Sequence, residues 1–136
     1  IEAVRAAAKP AVACFLSSFE AFAVYDRSRL EQVMMNILGN AVKYTPDGGH
    51  IRVTAGSGAD SVWMEVCDDG IGIPEEDQKH IFERFYRVDK SHSKASGGTG
   101  LGLSIVKHAV QYHRGRIELE STPGTGTTIR VVFPNP

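Results

Sequence analysis

Paired carboxamides on a predicted helix are the first feature of this chain with the chemistry of a ligand site. Asn36, Asn40 and Lys43 are spaced by four and three residues, so on a helix they form one polar stripe. Carboxamide oxygens suit a hard cation, and a lysine ammonium suits phosphate. A solvated helix edge is the alternative explanation, since the outer side of an amphipathic helix is polar.

A carboxylate followed by glycines is the second candidate. Asp68 and Asp69 end a predicted strand and are followed by Gly70 and Gly72. The carboxylate can accept a hydrogen bond from the amino group of a ligand, and the glycines allow that ligand close to the backbone. The alternative is an ordinary Asp-Gly turn with an acidic helix cap.

The third candidate is a glycine cluster at residues 97–102, where four of six residues are glycine, directly before an apolar helical pattern. Backbone N–H groups at the start of a helix hold phosphate, although an ordinary hinge loop has the same composition. Two common nucleotide motifs are excluded. Leu103 stands where a P-loop requires lysine, and Glu75 stands where a dinucleotide fingerprint requires its third glycine.

Composition limits the other possibilities. The 136 residues, with a formal net charge of -1, fit one soluble domain and give no electrostatic basis for contact with nucleic acid or membrane. The two cysteines and five histidines lack metal-ligand or nucleophile spacing, so we expect structural roles for them. No segment is long enough to cross a bilayer, and the chain starts at Ile1. We therefore expect an excised piece whose parent carries any membrane segment elsewhere.

Hydrophobic periodicity predicts helices mixed with hairpin-connected strands. Asp26 is predicted to cap an amphipathic helix that ends at Tyr44, and Pro74 to open a short helix with Ile81, Phe82 and Phe85 on its apolar side. Strands are predicted at residues 50–55, 61–67, 116–121 and 127–133, with a helix from the glycine cluster to about 112. A helix at 1–12 and strands at 13–17 and 23–25 are less clearly patterned. The pattern favours an α+β fold in which helices cover one face of an antiparallel sheet.

Five motifs in order resemble the catalytic ATP-binding domain of bacterial sensor histidine kinases. They are the asparagine box at residues 36–45, the first glycine box at 68–74, the phenylalanine box at 81–89, and the second and third glycine boxes at 98–103 and 123–127. The sequences at 82–90 and 97–108 are most similar to kinases of the phosphate-regulon sensor type. The resemblance implies one Bergerat-type domain over 1–136, a two-layer α/β sandwich. Its mixed, mostly antiparallel sheet has about five strands, covered on one face by about three helices, with 1–25 as a leading segment.

The resemblance also implies roles for individual residues. Asp68 would accept the adenine amino group of ATP, Gly70 and Gly72 would admit the base, and Thr127 would support Asp68 through water. Asn40, with Asn36 beside it, would hold Mg²⁺, and Arg87 would reach the γ-phosphate, which makes Arg87 and Asn36 the implied catalytic residues. Residues 88–100 would form the ATP lid. The remaining implied ATP-binding residues are Lys43, Tyr44, Ile73, Gly98, Thr99, Gly100, Leu101, Gly102 and Leu103. The chain departs from the usual pattern at Asp69, where asparagine is common, and that side chain is expected to point away from the base.

Asn36 also distinguishes among relatives with this fold. Gyrase, mismatch-repair and heat-shock chaperone ATPases have a glutamate there that activates water, and a carboxamide cannot act as that base. The resemblance therefore implies transfer to a histidine on a separate dimerisation and phosphoacceptor domain, whose motif this chain lacks. It further implies a homodimeric, membrane-anchored parent, of which this is a cytoplasmic domain, and a response regulator downstream. The alternatives are a non-catalytic nucleotide-binding regulatory module and a self-sufficient Bergerat-fold ATPase.

Overall fold

The computed structural model describes residues 26–86 and 102–134. Two helices of several turns, one single-turn helix and four strands make up these residues. In chain order they are α1 (Arg27–Tyr44), β1 (Ile51–Ser57), β2 (Ser61–Asp68), α2 (Glu75–Gln78), α3 (Gly102–Tyr112), β3 (Arg116–Thr122) and β4 (Gly126–Pro134).

Helix α1 begins and ends where the sequence predicts. The Asp26 side chain accepts a hydrogen bond from the Arg29 N–H at 3.4 Å, and the Asp26 carbonyl accepts the first helical bond from Leu30 at 3.0 Å. The predicted apolar stripe is buried and faces the sheet. Its buried members are Leu30, Val33, Met34, Ile37 and Ala41.

The sheet has the order β1-β2-β4-β3, and all its neighbouring strands are antiparallel. Asp68, the last residue of β2, lies opposite Ile51 of β1 on one side and Thr127 of β4 on the other. The predicted α+β layered fold is confirmed, with four antiparallel strands in the described residues against the expected mixed sheet of about five. The strands predicted at 13–17 and 23–25 lie outside those residues.

One hydrophobic core lies between this sheet and the two longer helices. Alternate residues of the central strands point into it, because the side chains of a strand alternate between its two faces. They are Val62, Met64 and Val66 of β2 and Ile129, Val131 and Phe133 of β4. Val106, Ala109 and Val110 of α3 complete the layer. The end of α1 lies beside the turn after Asp68, where the Tyr44 carbonyl accepts the Ile71 N–H at 3.1 Å. The beginning of α3 lies beside Asn36, in the middle of α1.

The prediction for the segment after Pro74 is partly wrong. Helix α2 ends at Gln78, so Ile81, Phe82 and Phe85 follow it in a series of turns. Ile81 is buried, but Phe85 is 67% exposed and has a φ of 65°. Phe85 is thus a solvent-facing residue in a left-handed conformation, and the predicted apolar helix side does not include it.

Candidate nucleotide-binding site

The carboxylate of Asp68 is held from two sides at the end of β2. Its Oδ1 accepts hydrogen bonds from the N–H of Gly70 at 2.9 Å and from the N–H of Thr127 at 3.3 Å. Within residues 26–86 and 102–134, its Oδ2 accepts none. The carboxylate is therefore oriented by the backbone and keeps one oxygen available for a hydrogen-bond donor of a ligand.

Gly70 joins the carboxylate to the end of α1. A Cβ atom at this position would overlap the carbonyl oxygen of Tyr44 and would lie 3.0 Å from both Asp68 Oδ1 and Thr45 Oγ1. The Tyr44 carbonyl also accepts the N–H of Ile71 at 3.1 Å. The absence of a side chain at Gly70 thus allows the turn after β2 to lie against the end of α1. The sequence alone predicts only that this glycine allows a ligand close to the backbone.

The turn from Gly70 to Pro74 is fastened to the turn between β3 and β4. The N–H of Gly124 donates to the Ile71 carbonyl at 2.8 Å, and the N–H of Ile73 donates to Ser121 Oγ at 2.8 Å. Gly72 has a φ of 73°, and a Cβ there would overlap the Thr122 carbonyl. The second predicted glycine is therefore required by both its backbone conformation and its packing.

Asn36 lies beside the beginning of α3. Its Oδ1 is 3.8 Å from the position that a Cβ of Gly102 would take. Its Nδ2 is buried and has no hydrogen-bond partner in the described part of the chain. A buried amide normally has a partner, so Asn36 has the features of a residue that awaits a ligand or water. Of its two polar atoms, only Oδ1 can coordinate the hard cation that the sequence predicts at Asn36 and Asn40, whereas the unpaired Nδ2 is a donor for a phosphate oxygen or water.

The other predicted residues near these two groups are half-buried. Asn40, Lys43 and Tyr44 continue the stripe of Asn36 along α1, and Leu103 packs against the core at the start of α3. The Lys43 ammonium lies 5.1 Å from the centre of the Tyr44 ring, in a cation–π contact. Several predicted residues lie outside the described ranges, namely Arg87, Gly98, Thr99, Gly100, Leu101 and the 88–100 lid.

Asp69 points to His50, the residue before β1. Its Oδ1 accepts the His50 N–H at 2.7 Å, and its Oδ2 lies 3.1 Å from His50 Nδ1. The backbone hydrogen bond and then the side-chain hydrogen bond hold the pKa of Asp69 below its ordinary value. Asp69 therefore fastens the hairpin rather than the ligand site.

Tyr86 closes the turns that follow α2. Its hydroxyl donates a short hydrogen bond to Asp77 Oδ1, and its ring stacks at 5.3 Å on His80, whose Nδ1 lies 2.5 Å from Glu83 Oε2. The hydrogen bond to Asp77, followed by burial, raises the pKa of Tyr86 to about 12. Tyr86 of the phenylalanine box is thereby tied back to Asp77 of α2.

Three polar residues at this site were missed by sequence reasoning: Ser121 and Gln78 make hydrogen bonds, and Thr45 has a buried hydroxyl without a partner in the described residues. Ser121 could have been found, because the alternation that places Ile117 and Leu119 inward places Ser121 on the same face. Gln78 and Thr45 had no comparable signal, since their contacts depend on chain segments that only the folded structure brings together.

Comparison with known proteins identifies the family of this chain. Residues 25–136 match the family described as histidine kinase-, DNA gyrase B-, and HSP90-like ATPase. The chain belongs to this family. Sensor histidine kinase WalK of Bacillus subtilis is 45% identical over 111 residues, which are 80% of this chain and 18% of that protein. Phosphate regulon sensor protein PhoR of Pseudomonas aeruginosa is 44% identical over 106 residues, 78% of this chain and 24% of that protein.

Solved structures of histidine kinases have a similar fold. The mycobacterial sensor histidine kinase MprB superposes with a TM-score of 0.70 at 33% identity, over 82% of this chain and 75% of that one. Full-length ShkA in complex with AMPPNP gives a TM-score of 0.68 at 32% identity, over 80% of this chain and 22% of that one. The prediction of an ATP-binding catalytic domain of the sensor histidine kinase type is confirmed. The chain spans less than a third of the WalK and PhoR relatives. Among the described helices, none has the length and apolar character needed to cross a membrane.

Proposed function

We propose that this domain binds Mg²⁺·ATP with its base at Asp68 and its phosphates where the beginning of α3 faces Asn36, in the middle of α1. The observation that carries the proposal is the Asp68 carboxylate, which two backbone N–H groups hold by Oδ1 while Oδ2 remains available. An oriented carboxylate oxygen accepts the 6-amino group of adenine and disfavours guanine, whose 6-position carries an acceptor. Gly70 and Gly72 border the same turn, with Ile73 beside them.

The spacing along α1 supports the second end of this site. Asn36 precedes Tyr44 by eight residues, which corresponds to about 12 Å of helix. That length suits a nucleoside triphosphate with its base at one end and its phosphates at the other. Asn36 and Asn40 are the proposed holders of Mg²⁺, which when bound neutralises phosphate charge. The N–H groups at the start of α3, from Gly102 and Leu103, complete the phosphate end. Lys43, whose ammonium lies 5.1 Å from the Tyr44 ring, is proposed to swing along α1 to reach the phosphates.

We infer that the reaction is transfer of the γ-phosphate to a histidine of a dimerisation and phosphoacceptor domain. An imidazole nitrogen attacks the γ-phosphorus, the bond from that phosphorus to the β–γ bridging oxygen breaks, and phosphohistidine and ADP result. Such a transfer needs positioning and charge neutralisation more than a base. Asn36 is unable to act as a base, and Arg87 is the proposed partner of the γ-phosphate. The lid at 88–100, with Gly98 to Leu101, is proposed to cover the nucleotide.

The proposed biological setting is that of two-component signalling. The parent would be a homodimeric, membrane-anchored bacterial sensor with this domain in the cytoplasm. Its phosphohistidine would supply a response regulator. The supporting observation is the identity of 44–45% to WalK, which is named a sensor histidine kinase, and to PhoR, which is named a phosphate regulon sensor protein.

One assay tests the proposal against its alternatives. The domain is mixed with Mg²⁺·[γ-³²P]ATP, with and without the phosphoacceptor domain of its parent. We expect label on an acceptor histidine and very slow phosphate release by the domain alone. Binding without transfer would indicate a regulatory module. Rapid phosphate release by the lone domain would indicate a self-sufficient ATPase and would contradict the role given to Asn36.

A further inference from the structure

Gln78 makes two hydrogen bonds that no sequence pattern explains. Its Nε2 donates to the Ile73 carbonyl at 2.9 Å and to the Ser121 carbonyl at 3.0 Å. Two carbonyl oxygens require two N–H donors, so the carboxamide has one possible orientation and both its hydrogens are used. Gln78 thereby joins the glycine turn after β2 to the end of β3.

Ser121 extends this connection towards the proposed base site. Its Oγ accepts the N–H of Ile73 at 2.8 Å, donates to the Gly126 carbonyl at 3.1 Å and lies 2.8 Å from Thr127 Oγ1. A hydroxyl has one hydrogen, so with that hydrogen on Gly126 the Thr127 hydroxyl is the donor to Ser121. The side chain of Thr127 is therefore fixed by Ser121, while its N–H is directed at Asp68.

The hydrogen bond from Thr127 to Asp68 is the longest in the series that connects Gln78 with Asp68. The N of Thr127 lies 3.3 Å from Asp68 Oδ1, whereas the hydrogen bonds that Gln78 and Ser121 make are 2.8–3.1 Å long. Hydrogen bonds of N–H to oxygen weaken beyond about 3.2 Å, so this one depends on how firmly Thr127 is held. A shift at the β3–β4 turn would release Asp68 on that side and leave only the Gly70 N–H to orient it.

We propose that Gln78 is a positioning residue for base recognition, acting through Ser121 and Thr127 on the Asp68 carboxylate. The inference rests on the proposed ATP site. Gln78 is not assigned any contact with the nucleotide. It holds the glycine turn and the β3–β4 turn in the relative position at which Oδ2 of Asp68 meets the 6-amino group. Its removal should therefore reduce the preference for that amino group more than it reduces binding of the rest of the nucleotide.

The test compares two nucleotides on the 136-residue chain. Calorimetry measures binding of ATP and of purine riboside 5′-triphosphate, which lacks the 6-amino group. For Gln78→Met, which keeps the side-chain length and removes both donors, we expect the preference for ATP over the analogue to fall about fivefold to tenfold. Gln111→Met, on the exposed face of α3, is the matched control and should keep the wild-type preference.

A second variant keeps the inference testable if Gln78→Met does not fold. Ser121→Ala removes the hydroxyl from the same connection and should lower the preference in the same way; circular dichroism establishes that each variant is folded. An equal loss of affinity for both nucleotides in the folded variants would show a merely structural role and overturn the inference. If Gln78→Met does not fold, an unchanged preference for ATP over the analogue in Ser121→Ala would overturn the inference. A wild-type chain that binds ATP no better than the analogue would instead overturn the proposed base site, and the inference with it.

Discussion

The N–H of Thr127 donates to Oδ1 of Asp68 across 59 residues of sequence, at a distance of 3.3 Å. The two residues are also direct neighbours in the antiparallel pairing of β2 with β4. The sheet register therefore orients the carboxylate that is proposed to recognise the base. The resemblance implies support for Asp68 by Thr127, and the contact in the structure comes from the Thr127 backbone N–H.

This arrangement predicts the result of Asp68→Asn. The carboxamide oxygen can keep the bonds from Gly70 and Thr127, so the fold should be retained. Its NH₂ group would then occupy the place of Oδ2 and face the adenine amino group, a donor against a donor. We expect ATP affinity to fall about tenfold to a hundredfold by calorimetry, because a hydrogen bond to a charged acceptor is lost.

Asp69→Asn is the matched control for that measurement. Asp69 is the adjacent carboxylate, but its oxygens lie against His50. Its replacement should leave ATP affinity at the wild-type level. Unchanged affinity in Asp68→Asn, or an equal loss in both variants, would contradict the assignment of the base site to Asp68.

Gly70→Ala should destabilise the domain. The added methyl would overlap the Tyr44 carbonyl, a backbone atom that cannot move without shifting the end of α1. We expect a loss of about 1–3 kcal/mol in the free energy of unfolding, measured by urea titration. Gly58→Ala is the control, since a Cβ there meets nothing within 4 Å, and it should change stability by less than about 1 kcal/mol. Equal stability of the two variants would refute the close approach.

Sequence reasoning located α1 and the strands because their burial repeats with a fixed period. One face of a helix is indicated by the spacing of Leu30, Val33 and Ile37, and one face of a strand by that of Val62, Met64 and Val66. The candidate carboxylate could be found because Asp68 stands where an apolar alternation gives way to glycines. These features depend on the local spacing of residues, which can be read directly from a single sequence.

The contacts that orient Asp68 could not be predicted in the same way. Gln78 reaches Ser121 across 43 residues, and Thr45 reaches Gly70 only because α1 ends against the turn after β2. Phe85 was placed with an apolar helix side because its spacing from Ile81 is helical, but the helix had already ended at Gln78. Such relationships are set by packing between distant segments, for which one sequence has no periodic signal.

The contact of Asp69 with His50 predicts a pH-dependent contribution to stability. The pKa of Asp69 is lowered in the folded state, so the contribution is present above the ordinary pKa of about 3.8 and is lost as pH falls through the folded value. Asp69→Asn should therefore have a lower Tm than wild type at pH 7, and the difference should shrink below pH 4. A Tm difference that stays constant from pH 7 to pH 3 would contradict this account.

Thr45→Val tests a buried hydroxyl. Thr45 Oγ1 is buried without a hydrogen-bond partner in the described residues. An isosteric apolar replacement removes a polar group whose desolvation costs about 1–3 kcal/mol when it is unpaired. We expect the nucleotide-free domain to gain about 1 kcal/mol in the free energy of unfolding, while Thr45→Ser, which keeps the hydroxyl, should not gain. A loss of stability in Thr45→Val would show that the hydroxyl has a bound partner.

Tyr86→Phe removes the hydroxyl that ties the turns after α2 to Asp77. With its pKa raised to about 12 by that hydrogen bond and by burial, Tyr86 contributes stability that is fully present below pH 10 and is lost as pH rises through about 12. We expect wild type to show a late phenolate absorbance step near pH 12 that is absent from Tyr86→Phe, and the variant to have a lower Tm at neutral pH. Tyr112→Phe is the control, because Tyr112 is 67% exposed and its replacement should leave the late step in place. A late step that survives in Tyr86→Phe would assign the high pKa to another tyrosine and refute the tie between Tyr86 and Asp77.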